Sequence, residues 1–323
     1  MAERQSSRET QESSGNWHVL VFGMPLDGDA FQLGSGLSLV RLEAPLTVFD
    51  LASGGAVGFR EWAVLEPLAS GCTSEIVSAE DAAILPGYDA LNRAWLASAL
   101  ILFRRFGSHL CVACSAYSWN RIAGHQQRTS LALQEQILKE DVDAAVFNSK
   151  GQLPKFKGGL LDFQLSFFTE RDTKDVPLTQ EDAIWIRRRF DTFNELAANS
   201  KSFRFALEAA VDWRFAKDKR AAIARLWSGI EAVFGMNSEL VFRISLLAAS
   251  LLAPRGQQRK EKSQEIRKLY SVRSKVVHGG EVKEEHMNRA MNDSFQLLKS
   301  LILLSAERGH SLGPKDFDEA LFF

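Results

Sequence analysis

The chain reads as an α+β N-terminal domain followed by an all-α C-terminal helical bundle, and three observations predict it. Short apolar runs punctuated by Gly, Pro and Asp dominate from Trp17 to about Ser70. Apolar residues at helical spacing dominate beyond residue 178. Between the two, the polar connection RDTKDVPL leads into a helix start, with Thr179 as cap, Asp182 three residues on and Leu178 as an apolar staple. The limits that follow are a polar, disordered tail over 1–15, an α+β domain over 16–175, and a helical domain over 178–323.

In the first half, WHVLVFGM is a short strand ending at Gly23 and Pro25, LDGD (26–29) is a turn, and LSLVRL (37–42) alternates like a half-buried strand. LTVFDLA and VGFREWAVLEP continue that pattern. LNRAWLASALILFRRF (91–106) predicts a covering helix, HLCVACSAYSW another strand, TSLALQEQILKEDVDAAV (129–146) a second helix and LLDFQLSFFTE (160–170) a last strand. In the second half, EDAIWIRRRFDTFNELAANS and KSFRFALEAAVDWRFAKDK form two helices. KRAAIARLWSGIEAVFG stops at Gly235, and SELVFRISLLAASLLAP runs from Ser238 as N-cap to Pro254. A helix over about 260–278 ends at Gly279-Gly280, and the last helix puts Met287, Met291, Phe295, Leu298 and Ile302 on one stripe. Five or six antiparallel helices account for this half.

With 46% hydrophobic and 24% charged residues over 323 positions, the composition is that of a globular protein large enough for two cores. No apolar run approaches the roughly 20 residues that span a bilayer, and MAERQSSRETQESSG is unlike a secretory signal. Three cysteines (Cys72, Cys111, Cys114) make no disulfide framework, which points to a reducing, cytoplasmic setting. The net charge of −1 hides an asymmetry: residues 1–170 hold 13 Lys+Arg against 19 Asp+Glu, and the rest hold 26 against 21. The densest basic stretch, Arg255 to Lys275, carries Arg255, Arg259, Lys260, Lys262, Arg267, Lys268, Arg273 and Lys275 against Glu261 and Glu265. Such a stripe attracts a polyanion.

That stripe ends in RSKVVHGG, with Arg273 and His278 separated by four residues. An arginine fork suits two phosphate oxygens, and an imidazole gives or takes a proton near neutral pH. Together they suffice for metal-free phosphodiester chemistry. The blocks LWSGIEAVFG, ELVFRISLLAASLLAP and IRKLYSVRSKVVHGG, in this order and at these separations, resemble an Apea-like HEPN domain across about residues 200–305. The resemblance implies an α-bundle that dimerises with its Arg–four residues–His motif facing the dimer cleft. It also implies a metal-independent endoribonuclease in toxin or antiphage systems; other members of the family are inactive modules that bind a nucleotide, RNA or a partner protein.

On that reading Arg273 binds the scissile phosphate and His278 is general acid or base. Ser274 assists, Arg267, Lys268 and Lys275 guide RNA, Glu231 pairs with Arg273 or another basic residue and orients the site, and the domain over 16–175 senses or regulates. The alternative is that Arg273 only pairs with a carboxylate inside the bundle and His278 only caps a helix. No cofactor or metal is expected. Five residues of helix rotate by roughly 500°, leaving the two side chains about 140° apart unless the helix frays before His278. Gly279-Gly280 is where fraying would begin. Arg104 and His109 repeat the same spacing at a helix–strand junction and read as coincidence. Cys111-Val-Ala-Cys114 has zinc-like spacing without a second ligand pair, and alternating burial in a strand explains it. GMPLDGDAF and FQLGSGLSL contain glycines but neither a Walker lysine nor a dinucleotide fingerprint.

Overall fold

A computed structural model describes residues 16–47, 50, 70–79, 90–105, 107, 109–115, 117–124, 146–147, 176–235 and 240–322. An antiparallel sheet is followed by a helical C-terminal region, in agreement with the sequence. The strands β1 (Asn16–Phe22), β2 (Ala30–Gly34), β3 (Leu37–Arg41), β4 (Cys72–Ala79), β5 (Leu110–Ser115) and the two-residue β6 (Val146–Phe147) lie in the order β2-β3-β4-β1-β5-β6. The first strand sits in the middle, paired with β4 on one side and β5 on the other. Its period-2 alternation serves both faces: Val19 and Val21 enter the main core, whereas Leu20 joins a smaller cluster with Ala113, Trp119 and Ile122.

Helix α1 (Ala90–Arg104) packs on the main face of the sheet. The β-prone reading of HLCVACSAYSW holds only to Ser115, because Ser118 caps the one-turn helix α2 (Trp119–Ile122). Buried Glu75 explains the change: it accepts the Trp119 amide at 2.7 Å and the Ser118 hydroxyl at 2.8 Å, drawing the chain across the sheet. The strand-like readings over 51–69 and 160–170, the 129–145 stretch, the 1–15 tail and the Ser238 cap lie outside the described residues. Two described residues depart from expectation: Asp50, in the strand-like LTVFDLA, is helical, and Val146, the end of the expected helix, is in β6.

The C-terminal region contains α3 (Gln180–Asn199), α4 (Lys201–Asp212), a 3-10 turn (Trp213–Phe215), α5 (Lys219–Phe234), α6 (Leu240–Leu252), α7 (Gln257–Val277), α8 (Glu284–Arg308) and α9 (Pro314–Phe322). The short helix α9 was not expected from the sequence; its nine residues offer too little periodicity. Gly235 ends α5 in the left-handed conformation at φ 58°, as expected. The Met291, Phe295, Leu298 and Ile302 stripe of α8 is buried, with Met287 partly so.

The expected boundary at 176–178 is fastened to the sheet side of the molecule. Leu178 is fully buried; its amide donates to the Pro25 carbonyl at 2.9 Å, and its carbonyl accepts from Asp27 at 3.1 Å. Helix α3 then lies against both β2 and α1. One apolar cluster therefore runs from Val19 and Leu33 through Phe190 and Phe193 to Trp213 and Phe295. Edge-to-face aromatic contacts continue it, Phe103 to Phe193 and to Phe295 at 6.3 Å and Phe193 to Phe203 at 5.6 Å.

Asp182 sets the start of α3. The capping box forms as expected: Thr179 Oγ1 accepts the Asp182 amide, and the carboxylate accepts the Thr179 amide. The same carboxylate also receives Arg104 Nε and Arg105 Nε, each at 2.7 Å. Burial pushes this carboxyl up, but the Thr179 amide and hydroxyl and the guanidiniums of Arg105 and Arg104 outweigh it and hold it below the usual range. Asp182→Ala is expected to lower the unfolding free energy by roughly 2–4 kcal/mol, since it removes a cap and strands two guanidiniums. Glu181→Ala, at an exposed position beside it, should stay within about 0.5 kcal/mol. Urea midpoints that coincide for the two variants would refute this role.

Candidate functional site

Helices α5 and α7 run antiparallel, because Arg220 of α5 meets Val276 of α7 while Trp227 meets Tyr270. Helical side chains lean toward their own N-termini, so across an antiparallel pair they lean toward one another. Arg273 does this: its guanidinium lies over the Tyr270 ring at 5.3 Å, and Nη2 donates to Glu231 Oε1 at 2.9 Å. Tyr270 in turn stands edge-on to the buried Trp227 at 5.1 Å. The partnership of Glu231 with Arg273 is the one the sequence proposed. Both side chains are about one-fifth exposed, and Arg273 Nε is buried without a hydrogen bond.

His278 is placed differently. The helix does not fray ahead of it: the His278 amide still donates to the Ser274 carbonyl at 3.1 Å. Gly279 then turns left-handed at φ 79°, and the Gly280 amide closes back on Lys275 at 2.7 Å, forming a Schellman cap. Helical rotation up to His278 keeps the imidazole about 140° around the axis from Arg273. The guanidinium leans toward the N-terminus of α7, whereas His278 is exposed at its C-cap. Within one chain the two face apart.

The rest of the predicted site divides clearly. Ser274 is half-buried, and its carbonyl takes the His278 amide. Arg267 donates to Ser245 Oγ at 3.2 Å and covers the Phe242 ring, which ties it to α6. Lys268 and Lys275 are exposed, with no ion pair among the described residues. Two residues not singled out in the sequence frame this end of α7. Arg220 Nη1 donates to the Val276 carbonyl at 3.2 Å, a cation at a helix C-terminus, and Lys219 pairs with Glu284 on the first turn of α8. Both precede LWSGIEAVFG by only a few residues; pairing Arg220 with α7 and Lys219 with α8 needs the helix packing in hand.

The other candidates are absorbed by structure. Arg104 pairs with Asp182, and His109 is fully buried against Ser98, with Arg214 donating to its carbonyl at 3.2 Å. Burial, then the nearby Arg214 charge, push the His109 imidazole down to about 3 against the Ser98 carbonyl bond. Burial likewise pushes the Cys111 thiol up to about 11 and the Cys72 thiol higher still. Cys111 and Cys114 lie in β5 with both side chains buried. Among the described residues, no three His, Cys, Asp or Glu side chains gather closely enough to hold a metal ion, and no helix is long and apolar enough to cross a membrane. In comparisons with protein-family models, curated proteins and solved structures, the chain matches none.

Two outcomes are expected. Arg273→Ala leaves Glu231 half-buried and unpaired, and should cost about 1–2 kcal/mol, whereas exposed His278→Ala should cost under about 0.5 kcal/mol. Equal and larger losses for both would mean that His278 is packed. For His109 the folded pKa is depressed, so its contribution is complete above the unfolded value of about 6.5 and is lost as pH falls toward 3. Unfolding free energy should therefore fall by about 1.4 kcal/mol per pH unit in that window from this residue. His109→Gln should remove that slope; an unchanged pH profile would show that the imidazole protonates in the folded state.

Proposed function

We propose that this protein is a metal-independent endoribonuclease of the HEPN type, acting as a homodimer through its helical domain, in antiphage defence or as a toxin. The observation that carries the reading is a partly satisfied guanidinium on the same helix as an exposed imidazole. Arg273 uses Nη2 on Glu231 and keeps Nε buried without a hydrogen bond, so its donors are not all committed to the fold. His278 stands at a capped, rigid helix end with Lys275 and Arg220 close in sequence or in space.

The chemistry follows from these groups. The 2′-hydroxyl of RNA is the nucleophile, so no activated water is required. Arg273 neutralises the phosphorane, and Glu231 and the Tyr270 ring hold the guanidinium for it. His278 removes or returns a proton. Because Arg273 and His278 face apart in one chain, a two-fold axis near the end of α7 is the economical way to set one protomer's imidazole against its partner's arginine. In-line cleavage uses proton transfer on both sides of phosphorus, which two histidines supply.

Arg273→Ala and His278→Ala should each lower cleavage of single-stranded RNA by at least about 100-fold. Products should carry 2′,3′-cyclic phosphate and 5′-hydroxyl ends, and EDTA should leave the rate unchanged. Ends bearing 5′-phosphate, or activity that survives His278→Ala, would overturn the mechanism. The Arg273–Glu231 pair favours one other reading, an inactive HEPN module that binds nucleotide, RNA or a partner protein. Wild-type protein that binds RNA without cutting it would establish that reading instead.

A further inference from the structure

A groove of about 830 Å³ separates α7 from α8. Its floor is aliphatic, made by Ile266, Leu269 and Val272 on one side and Ala290 and Leu297 on the other. Its rim is ionic. Lys262 is spent on Glu265, one turn along the same helix at 3.3 Å. Lys268 on the α7 wall and His286 and Arg289 on the α8 wall have no ion pair and no side-chain hydrogen bond among the described residues. Asp293 is the one further acid in the lining. Two cations without partners, Lys268 and Arg289, therefore face each other across an apolar floor. The volume suits a ligand of nucleotide size.

The groove also adjoins the candidate site. Val272 precedes Arg273, and His286 and Arg289 lie on the first turns of α8, just past the glycine cap that follows His278. Lys268 lies five residues, or about 7.5 Å of helix, before Arg273. A chain with an anion at each repeat and a flat apolar unit between them is the chemistry this surface complements. A docked amphipathic helix would use the floor but would leave the cations unanswered.

We propose that this groove seats the single-stranded RNA to one side of the scissile phosphate, with Lys268 and Arg289 on backbone phosphates and a nucleoside against the aliphatic floor. The proposal rests on the nuclease reading and adds Arg289 to it as a positioning residue. A fluorescein-labelled oligoribonucleotide with 2′-O-methyl riboses tests it, because that probe lacks the nucleophile and cannot be cut. Anisotropy titration of the full chain should show binding weakened at least tenfold by Lys268→Glu and by Arg289→Glu, and less by Arg289→Ala. Each reversal should lower the log–log salt slope by about 1. Arg188→Glu on α3, exposed and outside the groove, should bind within about twofold of wild type.

Groove variants that bind as wild type would overturn the proposal. So would an equal loss in Arg188→Glu, which would mark a diffuse field. Displacement of the probe by micromolar adenosine 5′-monophosphate would make a free nucleotide the occupant and overturn the strand. Cleavage of unmodified RNA by wild type against His278→Ala judges the nuclease reading separately. A groove-dependent probe on a protein that never cuts RNA would leave the seat standing and remove the nuclease.

Discussion

The Asp182 carboxylate is the interaction on which the rest of the molecule depends. It is almost fully buried, and it accepts from four donors at once: the Thr179 amide and hydroxyl at the start of its own helix and two guanidiniums at the end of α1. Fixing the N-terminus of α3 fixes the face that α3 shows to β2 and the face it shows to α4. Phe190 and Phe193 then lie in one continuous core with the sheet and the bundle. Leu178, paired with Leu26 just before the cap, closes the same junction from the backbone side. A carboxylate in this position is stable only because every nearby donor is aimed at it; any one partner lost would leave charge behind in a place that water does not reach.

From that junction the helical half inherits its polarity. Antiparallel α5 and α7 bring Arg273 and Glu231 together because both side chains lean toward their own N-termini. The same lean carries the guanidinium away from the end of α7, where the Schellman cap holds His278. The separation of the two groups is thus not a slack detail. It is fixed by helix geometry on one side and by a glycine turn on the other. A single chain has no soft torsion in between that could bring them together short of unwinding α7.

Much of this was legible in the sequence where the cause is local. Thr179 with Asp182, Gly235, Gly279-Gly280 and the α8 stripe all act within a turn or two of themselves, and each appears where its spacing placed it. Glu231 was legible as an acid inside an apolar helix that needed a partner. What the sequence could not supply was distance. Arg104 and Arg105 lie about 77 residues before Asp182, and nothing in their spacing points to it. The turn into α2 depends on Glu75, more than 40 residues upstream. The groove between α7 and α8 needs the packing of two helices whose patterns are separately ordinary.

The basic run shows the same limit in terms of charge. Counted in sequence, Arg255 to Lys275 offers eight cations. Packed, Arg255 and Arg259 hold the last carbonyls of α9, Lys262 pairs with Glu265, Arg267 is tied to α6 and Arg273 to Glu231. Only Lys260, Lys268 and Lys275 keep a side chain without a partner among the described residues. The field that a polyanion meets is therefore set by few positions, and residues outside the run contribute to it: Arg220 reaches the Val276 carbonyl at the end of α7, and Arg289 lines the groove beside that helix. A count of charges along the chain measures composition; what steers a strand of phosphates is the subset of charges that folding has left without a partner.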